Sequence, residues 1–77
     1  MPRITPVHYK VLKKIFEMDG FVFKRQKGDH LVFEKEGVLR PVIIPAYSEI
    51  DQDIIKSNMK TAGMTRERYF ELLAKCK

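Results

Sequence analysis

Residues 25–30 read Arg-Gln-Lys-Gly-Asp-His, and this short segment carries the side chains best suited to chemistry. A histidine gains and loses a proton near neutral pH, and arginine and lysine bind phosphate groups. His30 therefore stands beside Arg25 and Lys27 in a combination that could support proton transfer on RNA. A lone histidine is also compatible with an ordinary hairpin residue, so the residue types alone leave both interpretations open.

Apolar alternation on both sides of this segment predicts a β-hairpin. Strands are predicted over residues 21–26 and 30–35, with 27–29 as the turn. Alternation along the first strand places Phe21 and Phe23 on the core side of the sheet. The open face would then carry Lys24, Gln26, His30, Val32, Glu34 and Ile43.

Helices are predicted before and after the strands. The first would begin at Thr5-Pro6, because threonine caps helix N-termini and proline fits the first turn, and it would end at Gly20. A third strand over 38–44 would lie at an edge or be irregular near its start, because Pro41 lacks a backbone donor. The second helix would begin at Ser48, Asp51 or Asp53 and end near Ala62, and Thr65 would cap a short last helix.

This element order, α-β-β-β-α with a short C-terminal helix, predicts an α+β fold in a single domain of residues 1–77. Its three-stranded antiparallel sheet would have the helices packed on one face, since each element must bury its apolar side. Double-stranded RNA-binding domains share this architecture, so the predicted fold is dsRBD-like.

The charge distribution favours a polyanionic partner. The 77 residues include 15 Lys and Arg against 10 Asp and Glu, and most of the excess lies in residues 1–30. Nucleic acid is the leading candidate, although small domains also carry charge for solubility alone. No apolar run approaches the ~20 residues needed to span a bilayer, and no signal peptide is evident. A cytoplasmic protein that does not contact a membrane is therefore expected.

Four segments resemble HicA-type toxins, the small mRNA interferases of type II toxin–antitoxin pairs. Residues 25–30 resemble the Arg-Gln-x-Gly-Ser/Thr-His signature, and Gly-Phe at 20–21 follows the first helix as in that family. Val-Ile-Ile-Pro at 42–45 and Lys-Thr-Ala-Gly-Met-Thr at 60–65 are similar to two further patterns. The resemblance covers roughly residues 4–73. It implies a sequence-lax, metal-independent mRNA endoribonuclease that is neutralised by a HicB-like antitoxin.

The resemblance also implies roles for particular residues. His30 would be the catalytic residue, using the 2′-hydroxyl of RNA as nucleophile, with no metal and no cofactor. RNA would be bound by Lys24, Arg25, Lys27 and Gly28. Arg25 and Lys27 would stabilise the negative charge on the phosphate. Lys24 would hold the backbone of the RNA strand, and Gly28 would permit a sharp turn of the protein chain.

Two positions depart from the family pattern. Asp29 stands where relatives have Ser or Thr, and its carboxylate would repel an approaching phosphate. Tyr47 stands where many relatives have a histidine, and packing below the third strand is predicted for it in preference to stacking on a base. These departures favour one alternative, a non-catalytic RNA-binding module of the same fold. The open edge of the sheet keeps a second alternative open, an interaction domain that pairs with another chain through that edge.

Overall fold

The computed structural model describes residues 3–76 and confirms the predicted α+β architecture. The predicted single domain of residues 1–77 includes residues 1, 2 and 77, which lie outside this description. The three strands form one antiparallel sheet in the order β1-β2-β3. The elements are α1 (Tyr9–Met18), β1 (Val22–Lys27), β2 (His30–Glu34), β3 (Val42–Pro45), α2 (Gln52–Ala62) and α3 (Arg66–Lys75).

The core lies between the sheet and the helices. α1 and α2 both pack against β3, and α1 also packs against α3. Each helix contributes its apolar stripe, because residues three and four apart share one face. The largest fully buried side chains are Tyr69, Phe16, Phe33, Leu12, Ile15, Ile44, Ile50, Ile55, Leu72 and Val42.

The first helix begins later than its sequence predicted. The Thr5-Pro6 start is wrong, because the chain ahead of α1 is held in an extended bridge to the segment before α2. In this bridge the backbone N–H of Val7 donates to the carbonyl of Ile50 at 3.2 Å, and the reverse bond measures 2.7 Å. His8 caps α1 instead, with Nδ1 accepting a hydrogen bond from the backbone N–H of Lys10 at 3.1 Å.

The third strand is shorter than the predicted 38–44. Val38 donates its backbone N–H to the carbonyl of Lys35 at 3.0 Å, which closes a turn and leaves residues 38–41 outside the sheet. The strand begins after Pro41 and lies at the edge of the sheet, as predicted. Of the three candidate caps for α2, Asp51 is the one used, and its carboxylate accepts the backbone N–H of Asp53.

The last helix is capped by Thr65 as predicted, and it is longer than the short helix expected from the sequence. Thr65 Oγ1 accepts the backbone N–H of Arg68 at 3.1 Å, and α3 runs for ten residues. Gly63 ends α2 in the left-handed region at φ 68°, where a side chain would cost energy. This glycine allows α2 and α3 to follow each other with only a short connection.

A β-bulge interrupts the pairing of β1 with β2. Phe23 lies opposite Phe33 and Arg25 lies opposite Val32, so Lys24 has no partner of its own on β2. An extra residue of this kind shifts the side-chain alternation of the strand by one position. The prediction of strict alternation along β1 is therefore wrong beyond residue 23.

The bulge exchanges the faces that Arg25 and Gln26 occupy. Arg25 and Lys27 share the open face of the sheet with His30, since each lies in register with an open-face residue of β2. Gln26 lies opposite the buried Leu31 on the helix side, where alternation had not placed it. The bulge thereby brings both cations of the signature onto the face of the histidine.

The buried tyrosine of α3 makes stability sensitive to alkali. Tyr69 is fully buried, and its hydroxyl has no hydrogen-bond partner within residues 3–76. Burial, and to a lesser degree the charge of the nearby Cys76, raises the pKa of Tyr69 above its ordinary value of 10.0. Because the folded state holds this proton more tightly, the corresponding stability is complete below about pH 10 and is lost as the pH rises toward the raised pKa.

We expect Tyr69→Phe to keep the ring packing and to weaken this alkaline loss. At pH 7 its free energy of unfolding should stay within about 1 kcal/mol of wild type, because an unpaired buried hydroxyl is removed. Urea denaturation at pH 7 and at about pH 10.5 measures the difference. Tyr47→Phe, at an exposed position, should behave as wild type at both pH values. An alkaline loss in Tyr69→Phe as steep as in wild type would show that another group is responsible.

Candidate functional site

The signature residues lie on a tight hairpin that three hydrogen-bonded contacts hold in place. Gly28 and Asp29 form the turn, and Lys27 pairs with His30 across it. Gly28 adopts φ 59°, a conformation that glycine reaches without strain. Gln26 Nε2 donates to the Gly28 carbonyl at 3.0 Å. The Asp29 carbonyl accepts the backbone N–H of Ala46 at 2.6 Å, which ties the turn to the end of β3.

The open face beside this turn contains a shallow depression of about 460 Å³ around His30. Its centre is the cross-strand row Arg25, Val32 and Ile43, one residue from each strand. Val32 is buried and Ile43 is half-exposed, so the floor is apolar. We call this hollow the His30 depression; it is lined by Arg25, Lys27, Gly28, His30, Val32 and Ile43.

The depression is electropositive. Arg25 and Lys27 are exposed, and neither takes part in an ion pair within the described part of the chain. Their charges are therefore available to an anion from solution. The exposed His30 pairs with Lys27 across the turn, and imidazole nitrogens can donate and accept hydrogen bonds. Such a site can bind a phosphate group and place a proton carrier beside it.

A known protein family matches most of the chain. The family model described as the HicA toxin of bacterial toxin–antitoxin systems matches residues 9–64, more than half of the chain. The chain belongs to the HicA toxin family. A search of the curated proteins found no match. Membership of this family of bacterial toxin–antitoxin systems implies an antitoxin as the partner of this chain.

The match to the HicA family covers all three strands and the first two helices, α1 and α2. It begins at the first residue of α1 and ends at Met64, just before Thr65 caps α3. The resemblance noted in the sequence extended further, to about residues 4–73. The signature hairpin lies well inside the matched region, and α3 lies outside it.

Lys24 lies apart from Arg25 and Lys27, the two cations of the signature, in this HicA domain. As the bulged residue, it lines a different depression with Val22 and Glu34. Lys24 shares this depression with Glu34, the last residue of β2, whereas Arg25 and Lys27 line the depression around His30. The structure thus brings together three of the four side chains singled out in the sequence.

Tyr47 is 48 % exposed, so the prediction that it packs below the third strand is wrong. The Tyr47 carbonyl accepts the backbone N–H of Tyr9 at 3.2 Å. The preceding residue, Ala46, is bound to the Asp29 carbonyl, so Tyr47 follows directly on the segment that anchors the hairpin. Its ring is free to contact a ligand, where sequence reasoning had favoured the core.

Two contributors to the site were missed by the sequence analysis. The hydrogen bond from Gln26 to Gly28 braces the turn, and the bulge at Lys24 sets the face of Arg25. The glutamine belongs to the family signature, which was the available signal for a structural role. The bulge had no local signal, because it is defined only by the register of the partner strand.

Among residues 3–76, no group of three His, Cys, Asp or Glu side chains lies close enough to hold a metal ion. Within the same residues, none of the helices has the length and apolar character needed to cross a membrane.

Proposed function

We propose that this HicA-family protein is a metal-independent endoribonuclease that cleaves mRNA, with His30 as its proton-transferring residue. The observation that supports the proposal is the shared position of Arg25, Lys27 and His30 around one depression on the open face of the sheet. Family membership supplies the toxin role, and these three side chains supply a chemistry that suits RNA.

The reaction we propose needs only RNA, the side chains of this depression and water. The 2′-oxygen of a ribose attacks the adjacent phosphorus while the bond from phosphorus to the 5′-oxygen breaks. One proton leaves the 2′-hydroxyl and one proton reaches the departing 5′-oxygen. His30 carries one of these two protons, and water carries the other. The products are a 2′,3′-cyclic phosphate and a free 5′-hydroxyl.

The cations would lower the energy of the negative charge that builds up on the phosphate oxygens. Arg25 can donate two parallel hydrogen bonds to a phosphate, while Lys27 acts as a single compact charge. Gly28 keeps the turn free of a side chain, so that the backbone of RNA can approach closely. Lys24, on its separate depression, would contact RNA backbone further from the reacting phosphate.

The antitoxin is proposed to be HicB-like and to cover the His30 depression in the cytoplasm. The apolar floor of Val32 and Ile43 gives a partner protein a surface to bury, and the surrounding cations favour an acidic segment. A bound antitoxin would exclude RNA by occupying the same face.

A second candidate is a non-catalytic RNA-binding module of the same dsRBD-like fold. The observation that favours it is the exposed carboxylate of Asp29, immediately before His30 and with no ion-pair partner in the described residues. A carboxylate at this place opposes the approach of phosphate. Binding of RNA that weakens steeply with salt, without any cleavage, would identify this candidate.

Analysis of the RNA products tests the proposal. The purified protein, free of antitoxin, is incubated with a long unstructured RNA in the presence of EDTA. We expect fragments that end in 2′,3′-cyclic phosphate and begin with 5′-hydroxyl, at a rate that EDTA does not change. RNA in which every ribose is 2′-O-methylated should remain intact, because its nucleophile is blocked. Intact RNA in all samples, or cleavage that EDTA abolishes, would contradict the proposal.

A further inference from the structure

β1 overhangs the helix layer and leaves a groove beneath it. α1 packs mainly against α3 and β3, whereas β1 pairs with β2 alone, and all six residues of β1 are exposed. The space between α1 and the underside of β1 is a groove of about 670 Å³. We call it the basic groove; its lining includes Lys10, Lys13, Lys14 and Glu17 of α1 and Phe23 and Gln26 of β1.

The helix side of the basic groove is strongly cationic. Lys10, Lys13, Lys14 and Glu17 are spaced three, four and seven residues apart, so they lie along one face of α1. Three lysines thus accompany one carboxylate. No ion pair within the described residues involves any of the four. A surface of uncompensated lysines in one line suits a chain of phosphates.

The strand side of the groove presents a fixed aromatic ring. Phe23 is 44 % exposed, although the pattern of the sequence assigned it to the core. Its ring packs edge-on against Phe33, with centroids 5.6 Å apart, so one part of the ring is held and the rest faces solvent. Aromatic rings of this kind, placed next to cations, stack the bases of single-stranded nucleic acids.

The groove and the His30 depression lie on opposite faces of the same strand. Gln26, on the helix side, lines the groove, and its neighbours Arg25 and Lys27 line the depression. β1 is an edge strand, so no further element separates the two surfaces at its free side. A chain that rounds the edge of β1 passes from one surface to the other over the width of one strand.

We propose that the basic groove is a second RNA-binding site, which holds the single-stranded RNA that continues beyond the phosphate at His30. The lysines of α1 bind its phosphates and Phe23 stacks one of its bases. This inference rests on the proposed ribonuclease function and extends it, since it defines the substrate as RNA that is single-stranded for several nucleotides next to the cleaved bond. Duplex RNA is too stiff to round the edge of one strand.

The test compares two double variants of equal charge. Lys10→Ala/Lys13→Ala removes two groove lysines, and Lys56→Ala/Lys60→Ala removes two exposed lysines from α2. Alanine favours helices, so both proteins should fold, and circular dichroism checks this. The ligands are 2′-O-methyl RNAs of about 12 and about three nucleotides, since single-strand sites span ~4–16 nucleotides. Both ligands resist cleavage, so binding is measured independently of catalysis.

We expect the groove variant to bind the longer RNA on the order of tenfold more weakly than wild type. The slope of log binding constant against log salt concentration should become shallower by about 1.4, because two phosphate contacts are lost. Its affinity for the short RNA should equal that of wild type, and the α2 variant should match wild type for both. Phe23→Leu keeps apolar packing against Phe33 but loses the flat aromatic face on which a base could stack. It should therefore also weaken binding of the longer RNA and leave binding of the short RNA unchanged. This variant tests the groove without any change of charge.

The outcomes separate this inference from the proposed function. If wild type cleaves RNA but the groove and α2 variants bind the longer RNA equally well, the groove site is wrong and the ribonuclease stands. If the groove variant binds RNA normally and loses affinity for the antitoxin, the groove is a protein interface and the inference is equally wrong. If wild type neither binds nor cleaves RNA, both proposals fail together.

Discussion

Replacing His30 with alanine should lower the rate of RNA cleavage by about 10²–10⁴-fold, the usual range for the loss of a proton-transferring side chain. The exposed imidazole contributes little to the packed core, so the variant should fold and keep its affinity for RNA. Arg25 and Lys27 would still bind the phosphate, and a slow residual reaction should remain. Single-turnover cleavage at saturating RNA measures the change directly. In cells, expression of the variant should leave growth and bulk mRNA unaffected.

The chain offers a matched control in its other histidine. His8 is also exposed, and it caps α1 through Nδ1. His8→Asn removes an imidazole but keeps a good capping side chain, so its cleavage rate should equal that of wild type. If both variants cleave at the wild-type rate, or if both lose activity to the same extent, His30 has no special role in the chemistry.

The largest expected loss of stability follows from Leu12→Ala. Leu12 is fully buried in the stripe of α1 that packs against the rest of the core. A buried Leu→Ala change costs about 2–5 kcal/mol through lost burial and the cavity left behind. A chain of this length is stable by only about 4–12 kcal/mol, so the variant should be near the limit of folding. Urea denaturation at 25 °C measures the free energy of unfolding.

Leu39→Ala is the matched control for this substitution. The side chain of Leu39 is fully exposed in the loop between β2 and β3, so the same atoms are removed without creating a cavity. Its free energy of unfolding should stay within about 0.5 kcal/mol of wild type. Equal stability of the two variants would mean that α1 does not pack as described.

The elements that could be predicted from the sequence are those fixed by local chemistry. The apolar spacing of α1, the glycine that ends α2 and the threonine that caps α3 are each determined within a few residues. The predicted start at Thr5-Pro6 failed because a partner distant in sequence holds Val7 in an extended bridge. Thr5 and Pro6 are residues that favour a helix start, but the bridge between Val7 and Ile50 keeps this segment extended.

The candidate site was predicted in composition and only partly in geometry. His30, Arg25 and Lys27 were identified by residue type, yet alternation along β1 assigned Arg25 to the face opposite His30. A bulge depends on how two strands pair, and a single strand's sequence does not reveal it. Once the bulge at Lys24 is known, the same alternation rule places both cations correctly.

The exposed aromatic residues show a second limit of pattern reading. Phe23 and Tyr47 were both assigned to packing, because aromatic side chains usually serve cores. Phe23 lies on β1, the edge strand that pairs with β2 alone, and Tyr47 lies just beyond the end of β3. The extent of helix cover is a property of the assembled fold, so the sequence pattern could not show that these rings would face solvent.

Chemical rescue is the most direct measurement of the central claim, that the imidazole at position 30 moves a proton during RNA cleavage. The His30→Ala protein is saturated with RNA, and the single-turnover rate is followed as free imidazole is added. The His30 depression is open to solvent, so imidazole can enter the space that the side chain leaves. We predict that the rate rises with the imidazole concentration while RNA affinity stays constant. A rate that does not respond to imidazole, in a variant that still binds RNA as wild type does, would contradict the claim.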